Sequence, residues 1–234
     1  MSQNIVSSII EQNLFDHYRQ PIYDLNNDQL AGGELLLRTK LGSPEFIFQQ
    51  AKERNKLFEL DIKSICNAMK VASLFQEQLV FINVFPSTIK KRSFIPFIEQ
   101  LINKEQLNCN QIVFEINEAE KIKSIDTLRK RVNWLRDIGF QIACDDVGKG
   151  AMDLTYMLEL NVNFIKLDRK FSNNLVKSTK KQHLIRAILY FCELNGIKVI
   201  LEGIENGETL LLAKELGVDM GQGYYLGLPE LICR

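Results

Sequence analysis

Apolar residues recur along this chain in short runs, and six of these runs lead into a polar side chain. The runs and their polar residues are 79–84 with Asn83, 111–116 with Glu115, 140–143 before Asp145 and Asp146, 163–168 with Lys166, 198–201 before Glu202, and 218–224 with Gln222. The polar residues of successive runs are 20 to 36 positions apart, about the length of one strand plus one helix. This repeat predicts an α/β fold, a modified TIM (β/α)8-type barrel, whose strand ends converge on one mouth.

The pattern begins differently from that of an ordinary barrel. Two strands are predicted over residues 16–24 and 30–37, and the turn-forming residues Asn26, Asn27 and Asp28 lie between them. A short polar turn of this kind favours an antiparallel hairpin. We therefore expect a barrel with an antiparallel first strand.

Apolar residues at the helical period fill the segments between the strands. The predicted helices are 44–54, 58–75, 87–90, 94–103, 124–138, 153–160, 180–194 and 208–216. Ser43 followed by Pro44 is typical of a helix start. No low-complexity tract or long Gly, Pro or Ser linker interrupts the alternation, so residues 1–234 are predicted to form a single barrel domain.

Composition restricts the partners. Lysine plus arginine and aspartate plus glutamate both number 29, so the net charge is zero, and no overall field attracts a nucleic-acid polymer or an anionic membrane. No run reaches the ~20 apolar residues that span a bilayer, and the N-terminus lacks a signal-peptide pattern. Five scattered cysteines without a CxxC pair suit reduced thiols. We therefore expect a cytoplasmic protein.

The polar residues at the strand ends indicate an enzyme. Carboxylates stacked at one mouth repel one another unless a cation or a ligand compensates their charge. Taken singly, each of these residues has a purely structural explanation. Asn83 fits a turn amide, Lys166 a lysine at the edge of a sheet and Gln222 a polar surface residue. Their joint placement at successive strand ends favours a functional site. The two histidines, His17 and His183, are isolated, which argues against a catalytic triad.

At these residues the chain resembles the EAL family, the cyclic di-GMP phosphodiesterase domains of bacteria. Glu34-Leu35-Leu36 stands where the family has the motif that gives it its name. The other matching motifs are Gln20-Pro21-Ile22, Phe81-Ile82-Asn83, Phe114-Glu115-Ile116-Asn117-Glu118, Asp145-Asp146-Val147-Gly148, Ile165-Lys166-Leu167-Asp168, Glu202-Gly203-Ile204-Glu205, and a glycine-tyrosine element over 221–227 with Pro229. The motifs cover nearly the whole chain in family order, so the resemblance is specific.

The resemblance implies an active site with two metal ions. Hard cations such as Mg²⁺ or Mn²⁺ prefer oxygen ligands, and a pair of them activates a water molecule against a phosphodiester. The implied metal ligands are Glu34, Asn83, Glu115, Asp145 and Asp146. The implied catalytic residues are Lys166, Gln222 and, as the general base, Glu202. The implied substrate contacts are Gln20, Leu36 and Arg38, and the implied loop supports are Glu118 and Glu205.

The chain departs from the family pattern in two places. Leu35 replaces the alanine of the name motif, and we expect its side chain to point away from Glu34 into packing, without loss of the chemistry. The loop over residues 147–153 also differs from the family. In the family this loop links metal binding to the contacts of a homodimer.

The leading prediction is a stand-alone phosphodiesterase that hydrolyses cyclic di-GMP to linear pGpG. Two alternatives stay open. The first is a catalytically impaired EAL domain that acts as a nucleotide receptor or a protein-interaction regulator. The second is a barrel metalloenzyme that cleaves another phosphoester. The resemblance also implies a homodimer, and the sequence does not identify a protein partner.

Overall fold

The computed structural model of the protein describes residues 5–75, 78–116, 125–148 and 158–232. The helices in these ranges are α1 Ile5–Gln12, α2 Pro44–Glu53, α3 Leu57–Ala72, α4 Pro86–Ile89, α5 Phe94–Glu105, α6 Ile125–Asp137, α7 Arg169–Ser172, α8 Thr179–Leu194 and α9 Gly207–Leu216. The strands are β1 Asp16–Asp24, β2 Gln29–Arg38, β3 Leu79–Val84, β4 Ile112–Ile116, β5 Gln141–Val147, β6 Phe164–Leu167, β7 Lys198–Leu201, β8 Met220–Gly221 and β9 Glu230–Leu231.

The strands form one sheet that closes on itself. Their order is β2-β3-β4-β5-β6-β7-β8-β1-β9, and β1 also pairs with β2 to complete the barrel. The strands from β2 to β8 run parallel, whereas β1 is antiparallel to both β2 and β8. The predicted barrel with an antiparallel first strand is therefore confirmed.

Side-chain alternation along the strands produces two apolar regions. One face of each strand joins the helices in the main core, which includes Ile82, Phe114 and Ile165. The other face fills the barrel interior with a separate cluster of seven buried residues: Ile22, Phe81, Val113, Ala143, Phe164, Ile200 and Met220. Leu35 is 3% exposed and belongs to the main core. Its predicted packing role is confirmed.

Local sequence signals set the helix ends as expected. At the start of α2, Ser43 Oγ accepts a hydrogen bond from the Phe46 N–H at 3.3 Å, and proline occupies the first turn. At the end of α9, Gly217 has a φ of +87°, a left-handed conformation that favours glycine.

The pattern missed three short elements. These are α1, α7 and β9, of which α7 has four residues and β9 has two, too few to show a period. The predicted strand over 218–224 contains only β8. The chain turns at Gly223, whose carbonyl accepts from the Leu226 N–H at 3.0 Å. Most of the predicted helix 153–160 lies outside the described residues. Within the described ranges, no helix is both long and apolar enough to cross a membrane.

Candidate active site

The predicted polar residues form a layer directly above the apolar interior of the barrel. In each parallel strand from β3 to β8 the polar residue comes two positions after an apolar one, which keeps both on the inner face, and in β2 Glu34 comes two positions after Gly32. The pairs are Phe81 and Asn83, Val113 and Glu115, Ala143 and Asp145, Phe164 and Lys166, Ile200 and Glu202, and Met220 and Gln222. In the antiparallel β1, Gln20 comes two positions before Ile22. The polar layer therefore lies at the C-terminal end of the parallel strands, where barrel enzymes have their active sites.

Lys166 is the centre of this polar layer. Its side chain is 1% exposed, and its Nζ lies 3.0 Å from Glu34 Oε2, 2.7 Å from Glu115 Oε1, 3.3 Å from Asp145 Oδ1 and 2.9 Å from Glu202 Oε1. A buried ammonium is tolerated only when it is paired. Here a single ammonium contacts four carboxylates that come from distant parts of the sequence.

Two amide side chains connect further members of the layer. Asn83 Nδ2 donates to Glu34 Oε1 at 2.9 Å and to Glu115 Oε2 at 3.1 Å. Gln222 Nε2 donates to Glu34 Oε2 at 2.9 Å and to Gln20 Oε1 at 3.2 Å. Gln222 is 4% exposed, and its Oε1 has no hydrogen-bond partner among the described residues. That acceptor is open to a water molecule or a substrate donor.

Asp145 and Asp146 both reach the mouth, although neighbouring strand residues normally point to opposite faces. The pairing of β5 with β6 is irregular between Cys144 and Val147, and Asp146 has a φ of +59°. A bulge of this kind re-aims a side chain, and a left-handed backbone at a residue other than glycine is costly and typical of functional sites. The sequence pattern showed the two aspartates but not the bulge that brings them together.

The acid–base properties of the layer follow from its burial and its crowding. Burial opposes ionisation of Glu34, but the charge of Lys166 and hydrogen bonds from Gln222, Lys166 and Asn83 outweigh it and lower the pKa of Glu34 to about 2. Burial and the charge of Glu34 raise the pKa of Glu115 well above its ordinary value. Glu34 is thus the carboxylate that the surrounding donors stabilise most as an anion.

Asp145 in β5 and Glu202 directly after β7 resemble Glu115 and differ from Glu34, because their pKa values are raised. Burial, together with the negative charges of Glu34 and Asp146, raises the pKa of Asp145. Burial, opposed by Lys166 but reinforced by Asp145 and Glu34, raises the pKa of Glu202 to about 7. Burial alone would lower the pKa of Lys166, but the four carboxylates raise it well above its ordinary value. The layer therefore carries more negative charge than one ammonium can balance.

The donor set fits hard divalent cations. Asp145, Asp146 and Glu202 each offer a carboxylate oxygen, and these oxygens all lie within 4.8 Å of one another. With Glu34 and Glu115 there are five carboxylates but one ammonium in the layer. Two divalent cations would supply the four missing positive charges. All of these donors are oxygens, which Mg²⁺ and Mn²⁺ prefer.

A cavity of about 510 Å³ opens onto the polar layer, a volume within the range of small-molecule sites. Four of the predicted metal ligands line it, namely Glu34, Asn83, Asp145 and Asp146. Two predicted substrate residues, Leu36 and Arg38, line it as well. Gln20, the third predicted substrate residue, is buried and contacts Gln222 instead. Six of the predicted site residues therefore line this cavity, and Glu115, Lys166 and Glu202 join them through contacts within the polar layer.

The opposite wall of the cavity consists of residues that the sequence analysis did not single out. Phe48 on α2 packs against Phe85 with ring centroids 5.2 Å apart, and both line the cavity together with Lys52. Asp61 on α3 is 1% exposed and its Oδ2 accepts from the Phe85 N–H at 3.0 Å. In the sequence, the sign of Asp61 was a carboxylate among the apolar residues of the predicted helix 58–75.

One predicted loop support lies away from this cavity. Glu205 is exposed and lines a separate cavity of about 690 Å³ with Asp168 and Arg169. None of the four carboxylates that contact Lys166 lines this larger cavity, so the smaller one is the candidate active site. Glu118 and the loop over 149–157 lie outside the described residues.

Comparisons with known proteins agree with this geometry. The family model described as the EAL domain matches residues 3–229. The cyclic di-GMP phosphodiesterase PdeB of Shewanella oneidensis is 29% identical over 96% of this chain and 28% of its own length. The cyclic di-GMP phosphodiesterase PdeF of Escherichia coli K12 is 26% identical over 97% of this chain and 31% of its own length. The chain thus spans about three tenths of each of these relatives.

A solved structure extends the agreement to the fold. The EAL domain protein of Listeria monocytogenes superimposes with a TM-score of 0.87 at 26% identity, over 98% of this chain and 94% of that chain. The family model accounts for nearly all of the sequence, and the barrel and its charged mouth account for the motifs. The chain belongs to the EAL domain family.

Proposed function

We propose that this protein is a metal-dependent phosphodiesterase that hydrolyses cyclic di-GMP to linear pGpG. The observation that carries the proposal is the buried layer in which Lys166 contacts four carboxylates at the strand ends. The substrate is supported by two relatives, PdeB and PdeF, which are cyclic di-GMP phosphodiesterases. An inactive copy has no need to keep so many uncompensated buried charges, because each of them lowers stability.

The proposal assigns the oxygen donors to two cations, Mg²⁺ or Mn²⁺. Glu34, Asn83, Glu115 and Asp145 would hold one cation, and Asp145 with Asp146 would hold the other. Bound cations would supply Lewis-acid chemistry, which polarises phosphoryl oxygens and lowers the pKa of water. The uncompensated charge of the layer and its all-oxygen composition support this assignment.

Glu202 is proposed as the general base. Its carboxylate lies 2.9 Å from Lys166 and within 4.8 Å of the oxygens of Asp145 and Asp146, where it can accept a proton from a water molecule at the mouth. A water oxygen forms a bond to phosphorus while the bond between phosphorus and the 3′ oxygen breaks. Glu202 accepts the proton that the water loses, and the 3′ oxygen takes a proton from the solvent and leaves as a hydroxyl. One turnover opens the ring and yields the linear dinucleotide.

Other residues orient the substrate in this proposal. Arg38 offers a planar guanidinium at the edge of the cavity, suited to a phosphate. Leu36 gives the sugar or base an apolar contact. The free carbonyl oxygen of Gln222 accepts from water or a substrate hydroxyl. Gln20 holds Gln222 in place through the 3.2 Å hydrogen bond.

The decisive experiment is product analysis. Purified protein is incubated with cyclic di-GMP in Mg²⁺, in Mn²⁺ or in chelator, beside Glu34→Ala as the matched inactive variant. The proposal predicts pGpG with either metal and none with chelator or with Glu34→Ala. Intact cyclic di-GMP after hours with both metals would refute it.

The same purified protein tests two further expectations. Cyclic di-GMP that binds tightly but remains uncut, with or without metal, would support a receptor instead. The homodimer that the family resemblance implies stays a prediction, which analytical ultracentrifugation decides.

A further inference from the structure

The four carboxylates around Lys166 have internal partners on most of their oxygens. For Glu34, Oε2 contacts Lys166 Nζ at 3.0 Å and Oε1 accepts from Asn83 Nδ2 at 2.9 Å. For Glu115, Oε1 contacts Lys166 Nζ at 2.7 Å and Oε2 accepts from Asn83 Nδ2 at 3.1 Å. Each of these four oxygens therefore lies close to a nitrogen of the protein itself, although Glu115 Oε1 has the ion contact alone and no hydrogen bond.

From these contacts we propose that Lys166 and Asn83 act as internal substitutes for the metal, and that Lys166 competes with metal ions for the carboxylate oxygens. The inference rests on the proposed function, because it concerns the regulation of the same site. In this arrangement the ammonium supplies one of the positive charges that the layer needs, and the amide of Asn83 presents its nitrogen to the glutamates. The protein's own groups thereby neutralise the site in part.

The distances bring a bound metal ion and the ammonium into competition. Mg²⁺ takes its oxygen ligands at about 2.0–2.1 Å, so a cation bound to the inner oxygens of Glu34, Glu115 and Asp145 lies close to an ammonium that is 2.7 to 3.3 Å from the same atoms. The two positive charges repel each other at this short range. The repulsion favours release of some of these oxygens by Lys166, which its flexible four-carbon side chain permits.

Asn83 must change as well. Its Nδ2 now faces both glutamates, but only its Oδ1 can serve as a metal ligand, since an amide nitrogen is a donor. Rotation of the amide about its terminal bond exchanges the two atoms. Metal binding thus costs the displacement of one ammonium and the rotation of one amide, and both costs lower the apparent metal affinity.

The competition is tested with Lys166→Met, which removes the ammonium but keeps the length of the side chain. The matched control is Lys198→Met. This substitution removes the same charge at an exposed position of β7, away from the layer. Melting temperature in chelator and the dissociation constant for Mn²⁺ by calorimetry are measured for both variants and the wild type.

In chelator, we expect Lys166→Met to melt about 10 °C below the wild type and below the control, because its carboxylates lose their counter-ion. With saturating Mn²⁺ this gap should close. The variant should also bind Mn²⁺ at least about tenfold more tightly than the wild type, since no ammonium has to be displaced. If Lys166→Met folds only in the presence of Mn²⁺ and unfolds when chelator is added, the proposal is supported by that result too.

An unchanged or weaker Mn²⁺ affinity in Lys166→Met would overturn the proposal, as would equal melting temperatures in chelator. A second, structural readout avoids any effect of the substitution. In wild-type crystals, Lys166 Nζ should lie within 3.5 Å of fewer of the four carboxylates after a Mn²⁺ soak than before it, and an unmoved Nζ would overturn the proposal. Failure of the proposed function is recognised separately, as a lack of cyclic di-GMP hydrolysis by wild-type protein that binds Mn²⁺.

Discussion

The inner face of the barrel carries two layers of opposite character that are only two residues apart along the same strands. The lower layer contains Phe81, Val113 and Phe164, which are almost completely buried and entirely apolar. The upper layer contains Glu115 and Lys166, which are buried just as deeply but charged. Burial of the lower layer stabilises the fold through the hydrophobic effect. Burial of the upper layer costs stability, because charges lose their hydration.

This difference shows how one alternation serves both folding and chemistry. The period of two fixes which face a residue occupies, whereas the residue type decides whether that position stabilises the barrel or the reaction. The upper layer tolerates its charges because ion pairs and amide hydrogen bonds connect its members. The comparison predicts that substitutions in the two layers separate stability from activity.

The largest effect is expected in the upper layer of β4. Glu115→Ala removes a carboxylate that contacts Lys166 through one oxygen and accepts from Asn83 through the other. We expect turnover of cyclic di-GMP to fall roughly a thousandfold or more, because metal ions supply several kcal/mol of transition-state stabilisation. Rates of pGpG formation by chromatography measure it, with Val113→Ala in the same strand as the control. Equal rates for Glu115→Ala and the control would show that the upper layer is not catalytic.

The opposite result is expected in the lower layer of β3. Phe81 is completely buried, so Phe81→Ala should lower the free energy of unfolding by about 3–5 kcal/mol. The turnover rate of the folded fraction should remain near that of the wild type. Denaturant unfolding and steady-state kinetics measure the two quantities. Asn83→Ala, two residues along the strand, should show the reverse pattern, and similar behaviour of the two variants would contradict the separation of the layers.

A pH-dependent effect is expected for Glu202. Its pKa is raised to about 7 in the folded protein, and an unfolded glutamate titrates near 4.3. The folded state therefore binds the proton more tightly, and through this group the metal-free protein loses stability as the pH rises from about 4.5 to 7. Glu202→Gln removes that loss, so in chelator the variant should be more stable than the wild type by roughly 3–4 kcal/mol above pH 7.

Below about pH 4.5 the Glu202→Gln variant and the wild type should have equal stability, since the carboxyl is protonated in both states there. Denaturant unfolding across pH 4 to 9 measures the difference. Glu208→Gln, at an exposed position of α9, serves as the control and should show no such dependence. A Glu202→Gln variant that is less stable than the wild type at pH 8 would contradict the charge crowding inferred for this layer.

The smallest effect is expected at the rim of the cavity. Arg38→Lys keeps the positive charge but loses the planar fork that binds phosphate. We expect KM for cyclic di-GMP to rise about tenfold with little change in kcat, which corresponds to about 1.4 kcal/mol of binding. Steady-state kinetics measure it, with Arg54→Lys, an exposed arginine after α2, as the control. A KM equal to that of the control would remove Arg38 from the substrate site.

Much of the fold and of the polar layer could be predicted from the sequence, for a physical reason. Strand alternation is local, so the positions of Asn83, Glu115 and Lys166 follow from their distance to neighbouring apolar residues. The antiparallel start of the barrel likewise follows from a local turn. Helix α1 escaped prediction because its eight residues are shorter than the window of about 11–18 residues over which helical periodicity is recognised, although its apolar residues do follow that period.

The rest of the site depends on contacts between distant residues, which a single sequence does not contain. The bulge at Asp146 arises from pairing between β5 and β6. The central position of Lys166 arises from barrel closure. Phe48 and Phe85 form a wall of the cavity because α2 packs against α3 and brings the Phe48 ring onto Phe85, directly after β3, and no motif indicated it.

The central claim is that the carboxylates of the upper layer hold two divalent cations at one mouth of the barrel. Crystals grown with Mn²⁺ test it directly through anomalous diffraction at the manganese edge. The account predicts two peaks per chain, about 3.5–4 Å apart, among Glu34, Asn83, Glu115, Asp145 and Asp146. A single peak at this mouth, or none, would contradict it.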